Sequence, residues 1–300
     1  MRRLQSFQPD GFWLVTGAAI LWGTIGVATK TIYTTDNTTS LFLNLARMLI
    51  AAPILLAVCW RVDGREMFSI KRRDFAIMLL SGVLLAISQS AYFAAIRNAG
   101  VTVATLLTIC IAPPEVTGLS VLLEFETMTR RIGFALVGAL IGTVLLVGMH
   151  SPDGAQDNLL LGAGFSVLAA VTYACTIICG RFLASNYHPL QVTAITFSAG
   201  ALLLLINLAS GVAAVHTAQG WALVLYLGIV PTAFAYWLFQ KGLRSVSATA
   251  ASIVSMLDPL VAAVLAWILF GETLAATGVI GAGLLILSIL VLSMVSDHQK

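Results

Sequence analysis

Three hundred residues would ordinarily make about two soluble domains, but the composition excludes a soluble chain. AVILMFWYC residues supply 59% and DEKR only 10%, where a soluble surface takes about a quarter charged residues. High hydrophobicity also excludes disorder. What remains is an integral membrane protein, and the continuous apolar runs that follow make an all-α one the expectation.

A hydrocarbon core of about 30 Å takes roughly 20 helical residues to cross. Apolar runs of that length follow one another at 12–31, 39–60, 74–97, 101–123, 131–150, 159–182, 189–211, 219–241, 246–270 and 274–295, predicting ten transmembrane helices. The runs are continuous and do not alternate with polar residues, so helices are preferred to barrel strands. Arg2 and Arg3 precede the first run as in a signal peptide, but that run is too long and no small-residue cleavage site follows it. It is read as the first span. The longest connection, 61–73, leaves no room for a soluble domain.

The net charge of +3 matters through its distribution. With the N-terminus in the cytoplasm, Arg2, Arg3, Arg61, Arg65, Lys71, Arg72, Arg73, Arg130, Arg131, Arg181, Lys241, Arg244 and Lys300 fall inside. Lys30 and Arg97 fall outside, and Arg47 lies within a span. By the positive-inside rule both termini are expected in the cytoplasm, in the inner membrane.

The chain repeats itself. Pro113 and Glu126 have the spacing of Pro259 and Glu272, and a Thr follows each Glu. Tyr92–Arg97 (YFAAIR) matches Tyr236–Lys241 (YWLFQK), and Ala18–Gly23 (AAILWG) matches Ala169–Ala174 (AAVTYA). Gly133 and Gly138 correspond to Gly278 and Gly283. The expected units are 1–150 and 151–300. Five spans per unit is an odd number, so the two units enter the membrane with opposite orientation. Inverted repeats are a common plan of secondary transporters, with the solute held near the midplane between them.

The segment Phe234–Leu274 resembles the second repeat signature of the EamA-type drug/metabolite transporter superfamily. Pro259, Gly271 and Glu272 match it; the first repeat has Pro113 and Glu126 but Phe125 in place of the Gly. Arg47, in LNLARMLIA, matches the Arg usual in the second span. The resemblance covers about 12–296, and within the superfamily the chain is most similar to bacterial exporters of aromatic and other neutral amino acids. It implies ten helices, a central cavity between the halves and export from the cytoplasm.

An ionisable group at the bilayer centre costs at least about 2.5–3.5 kcal/mol on insertion scales, so each one needs a reason. Arg47, Glu115 and Asp258 lie deep in spans two, four and nine. Either they form a buried pair or triad that fixes helix contacts, or one carboxylate stays unpaired to bind a substrate ammonium or carry a proton. Asp258 is the stronger functional candidate, because Ser252 and Ser255 share its helical face; Glu115 has only Thr108. Glu126 and Glu272, at span ends, read as caps. Pro113, Pro114 and Pro259 each free a backbone carbonyl, which a membrane tolerates beside a cavity, so spans four and nine are expected to bend. Trp22 and Tyr173 occupy matched mid-span positions and are candidate pocket residues. Gln89 with Tyr92, and Tyr236 with Trp237, lie nearer span ends, where a pocket role and an interfacial belt are equal readings. Gly138 and Gly142 make a GxxxG, read as packing between spans or a homodimer face.

Against an enzyme, His150, His188, His216 and His298 lie in or beside loops without metal-site spacing, and no GxSxG or P-loop occurs. Cys59, Cys110, Cys175 and Cys179 form no CxxC and read as packing residues. A channel would want a polar ring or filter. No cofactor or nucleic acid is implied. The expected partners are the lipid bilayer and a small solute, either a neutral amino acid or a drug, purine or similar metabolite.

Overall fold

The computed structural model describes residues 9–36, 38–99, 101–147, 158–205, 217–271 and 275–294. Among them the chain is almost wholly helical and has no strand, because in hydrocarbon only a helix or a closed barrel satisfies its own backbone. In chain order the helices are α1 (Pro9–Thr35), α2 (Ser40–Asp63), α3 (Arg72–Ala99), α4 (Val101–Leu122), α5 (Arg130–Val147), α6 (Leu159–Ala184), α7 (Pro189–Leu204), α8 (Ala218–Gly242), α9 (Ala248–Phe270) and α10 (Ala276–Met294). These are the ten expected helices. Nine are long and apolar enough to cross a membrane, and α7 is a shorter apolar helix whose expected continuation lies outside the described residues. The chain is a multi-pass membrane protein.

Local chemistry sets the helix ends. The hydroxyls of Thr39, Thr217 and Ser247 accept from Phe42 N, Gly220 N and Ala250 N, each satisfying an orphan donor of a first turn. Pro189 stands at the head of α7, where a missing N–H costs nothing. Gly271, at φ 69°, ends α9 in the left-handed region.

Contacts between connecting segments join like ends of the ten-helix path. At one end Asp36, between α1 and α2, accepts from Thr217 N (2.9 Å) at the head of α8. At the other, basic end, Gln191 Nε2 donates to Met67 O (2.8 Å) and Glu126 accepts from Ala248 N (2.6 Å). Each contact links the first half to the second. Between the ends the halves interleave: α3 packs on α6 and α7, α4 on α6, α1 on α8 and α9, and α5 on α10. Outward residues are apolar, Phe134 being 77% and Leu160 89% exposed, as a surface facing lipid should be.

The GxxxG of α5 is used inside this fold. A Cβ on Gly142 would come within 2.8 Å of Gly281 O on α10, and one on Gly138 would collide with Ser288. Helix backbones touch there, which small residues permit.

Proline acts differently in three helices. α9 breaks at Met256, between the segments Ala248–Ser255 and Leu257–Phe270, just ahead of Pro259. α4 runs as one helix through Pro113 and Pro114, with Thr117 Oγ1 donating to Pro113 O (2.8 Å). Unforeseen in the sequence, α8 widens into a π segment, Gly228–Phe234, around Pro231.

Candidate functional site

The π segment follows from Pro231. Its ring nitrogen has no proton to give the carbonyl of Leu227, and the helix widens over the gap, as helices often do at functional positions. Thr232 Oγ1 donates to Leu227 O (2.6 Å). The same oxygen accepts from Arg47 Nε (2.9 Å), reaching across from α2. Arg47 makes no other hydrogen bond and no ion pair among the described residues.

Asp258 lies about 15 Å along α9, at 1.5 Å per residue from its head, and just past the break at Met256. It is half-buried, and its carboxylate accepts no hydrogen bond among the described residues. Arg47 and Asp258 are within electrostatic reach of each other but are not joined as an ion pair. Tyr92, Tyr173 and Tyr236 also lie within reach of the Asp258 charge, and Tyr236 within reach of Arg47. One cation, one carboxylate and three phenols, drawn from α2, α9, α3, α6 and α8, thus share the centre of the bundle.

Aromatic rings close this centre. Tyr236 packs on Trp22 of α1 at a centroid distance of 4.9 Å and edge-on to Phe197 of α7 at 4.8 Å. Trp22 is buried and also meets Phe239 at 5.2 Å. Its indole Nε1 is a buried donor with no partner among the described residues. Tyr173 and Tyr236 line a cavity of about 40 Å³ between α3, α6, α7 and α8, together with Thr176, Thr193, Thr196 and Gln240. That volume holds only a few waters. The Tyr92 hydroxyl bonds Thr105 on α4 (2.6 Å).

The remaining sequence candidates are placed as follows. Glu115 is half-buried on α4, within electrostatic reach of Cys175 of α6, with no hydrogen bond or ion pair to Arg47 or Asp258 among the described residues. A triad of these three is therefore not formed. Ser252 is buried and its hydroxyl donates to Thr249 O; Ser255 donates to Ala251 O. The serine face is turned into its own helix. Gln89, one turn before Tyr92, is half-buried and makes no side-chain hydrogen bond among the described residues. Glu126 is a cap, through α9 of the other half, while its repeat counterpart Glu272 lies outside the described residues. Thr232 and Phe197 carried no signal in the sequence. Tyr236 did, as the repeat counterpart of Tyr92.

Known proteins resemble the whole chain. The sequence model described as the EamA-like transporter family matches residues 10–148 and 160–294. An uncharacterized transporter of Bacillus subtilis (strain 168), YwfM, is 30% identical over 94% of this chain and 93% of its own. The uncharacterized inner membrane transporter YicL of Salmonella typhimurium is 29% identical, covering 94% of each. A riboflavin transporter of Fusobacterium nucleatum, ImpX, is 25% identical over 94% of this chain and 97% of its own. A solved crystal structure superposes with a TM-score of 0.83 over 97% of this chain and 98% of that one, at 18% identity; that likeness concerns the fold.

Proposed function

From the premise that the chain belongs to the EamA-like transporter family, we propose that it is a secondary transporter exporting aromatic and other neutral amino acids across the inner membrane, with both termini in the cytoplasm. The observation that carries this reading is the unpaired Arg47 and Asp258 beside Trp22, Tyr173 and Tyr236. Two opposite charges within the span of the membrane, neither holding an ion-pair partner among the described residues, are costly. A zwitterion offers a carboxylate to the guanidinium and an ammonium to the carboxylate, offsetting both costs at once, and the rings provide apolar surface for its side chain. The solute is held between the halves, with helices of both repeats contributing, and access alternates between the two membrane faces. No enzyme chemistry is assigned.

The aromatic lining supports a second reading, a planar neutral metabolite; a relative of similar length is named a riboflavin transporter. Counterflow into liposomes of the purified protein, with labelled phenylalanine, leucine, riboflavin, a nucleoside and a cationic dye, separates the two. Exchange of phenylalanine and leucine supports the amino-acid reading; exchange confined to riboflavin or the nucleoside replaces it.

A further inference from the structure

Arg47 is held by a short chain of causes. Pro231 denies Leu227 O its usual donor, Thr232 Oγ1 gives its proton to that carbonyl, and the lone pairs left on the hydroxyl face Arg47 Nε. The Thr232 rotor has its donor and acceptor directions both fixed. A second contact pins the same two helices: a Cβ on Gly228 would lie 2.6 Å from Ile50 Cγ2, so α2 rests against the backbone of the π segment. The guanidinium is therefore oriented rather than free to swing. Its Nε edge is occupied, and its Nη1 and Nη2 groups donate to no acceptor among the described residues.

A guanidinium fork prefers two parallel hydrogen bonds to a carboxylate or phosphate. With the Nε edge taken, the remaining edge is the end-on pair, Nη1 and Nη2. Asp258 is near enough to be felt but does not fill it.

We infer that Arg47 is the subsite for the carboxylate of the transported solute, engaged end-on through Nη1 and Nη2, and that Thr232 is the residue that positions it. This deepens the proposed function and rests on the reading that a solute occupies this centre. It commits the solute to bearing a carboxylate, whereas the ammonium is a separate matter for Asp258.

The test uses purified full-length protein in liposomes and three probes that share one aromatic ring: 3-phenylpropionate, its amide and phenethylamine. Competition against labelled phenylalanine and ligand-induced thermal stabilisation are both measured. The acid is expected to compete about 10- to 100-fold better than the amide, the range for a charge-assisted pair. Arg47→Gln should abolish that preference. Thr232→Val should raise KM for phenylalanine about tenfold with the maximal rate little changed, and Thr232→Ser, which keeps the hydroxyl, should restore it. A Thr232 that only supports the helix would give equal stability losses without moving the acid-to-amide ratio. If phenylalanine is transported but acid and amide compete equally, or if Arg47→Gln keeps the preference, the inference fails and the proposed function stands. If phenylalanine is not transported yet the acid alone stabilises the protein through Arg47, the proposed function fails and the subsite stands. Stabilisation by none of the three probes, with no phenylalanine transport, removes both.

Discussion

The carboxylate of Glu126, beyond the end of α4, caps the first turn of α9: Ala248 N donates to one oxygen at 2.6 Å and Thr249 N to the other at 3.3 Å. A negative group here also meets the positive end of the helix dipole. The cap joins the first half to the second at the basic end. Glu126→Ala is expected to lower stability by about 1–2 kcal/mol, the usual cost of a lost N-cap. Glu126→Gln should fall between, because it keeps one acceptor oxygen and loses the charge. Thermal unfolding in detergent reads both, and a melt of Glu126→Ala unchanged from wild type would deny the cap any energetic role.

The Tyr187 hydroxyl donates to Asp74 Oδ2 (2.5 Å) and accepts from Lys71 N (3.3 Å), again across the halves. Burial and the Asp74 contact raise the hydroxyl above its ordinary pKa of 10.0. A raised acid stabilises the fold while protonated in both states, and that contribution drains away as pH climbs from the unfolded value through the folded one. Tyr187→Phe should therefore be less stable than wild type at pH 7, and the gap should narrow above about pH 10. A gap that is constant with pH would assign the difference to packing alone.

Asp258 accepts no hydrogen bond and no ion pair among the described residues, so removing its charge should leave the Arg47–Thr232 hydrogen bond intact. Asp258→Asn is expected to fold with a melting temperature within a few degrees of wild type and to transport poorly, with a flatter pH profile if the residue takes up protons. A large stability loss rescued by Arg47→Met, with transport restored, would instead make the two residues a structural pair.

Orientation is tested at Phe68, which is 71% exposed in the connection between α2 and α3. Phe68→Cys should resist an impermeant thiol reagent on intact cells and react in inverted vesicles. Labelling from outside would reverse the charge-based assignment.

Much of the fold could be read in advance because the bilayer dictates helix length and loop charge, and nothing in the chain competes with those demands. The site could be read only where symmetry or expense marked it. Arg47 and Asp258 stand out as costly groups, but their separation in sequence hides whether they touch; the bond that Arg47 makes is to Thr232, 185 residues away. Tyr236 lies late in its run and passes for a belt residue until the repeat sets it beside Tyr92. Pro231 gave no sign of a widened turn, since a lone proline in an apolar run also fits an ordinary kink. Periodicity placed Ser252 and Ser255 on the face of Asp258, but it does not fix where a hydroxyl points, and both bond their own helix.

The seam between α5 and α10, where Gly142 meets Gly281 backbone to backbone, also restricts how the molecule can move. Two helices in such close register slide only by driving a larger neighbouring residue into the space a glycine leaves, and none of that space is vacant. The last helix of each half is thereby riveted to the other, and neither carries a residue of the central cluster. A transport cycle built on this frame would carry α5 and α10 together as one body.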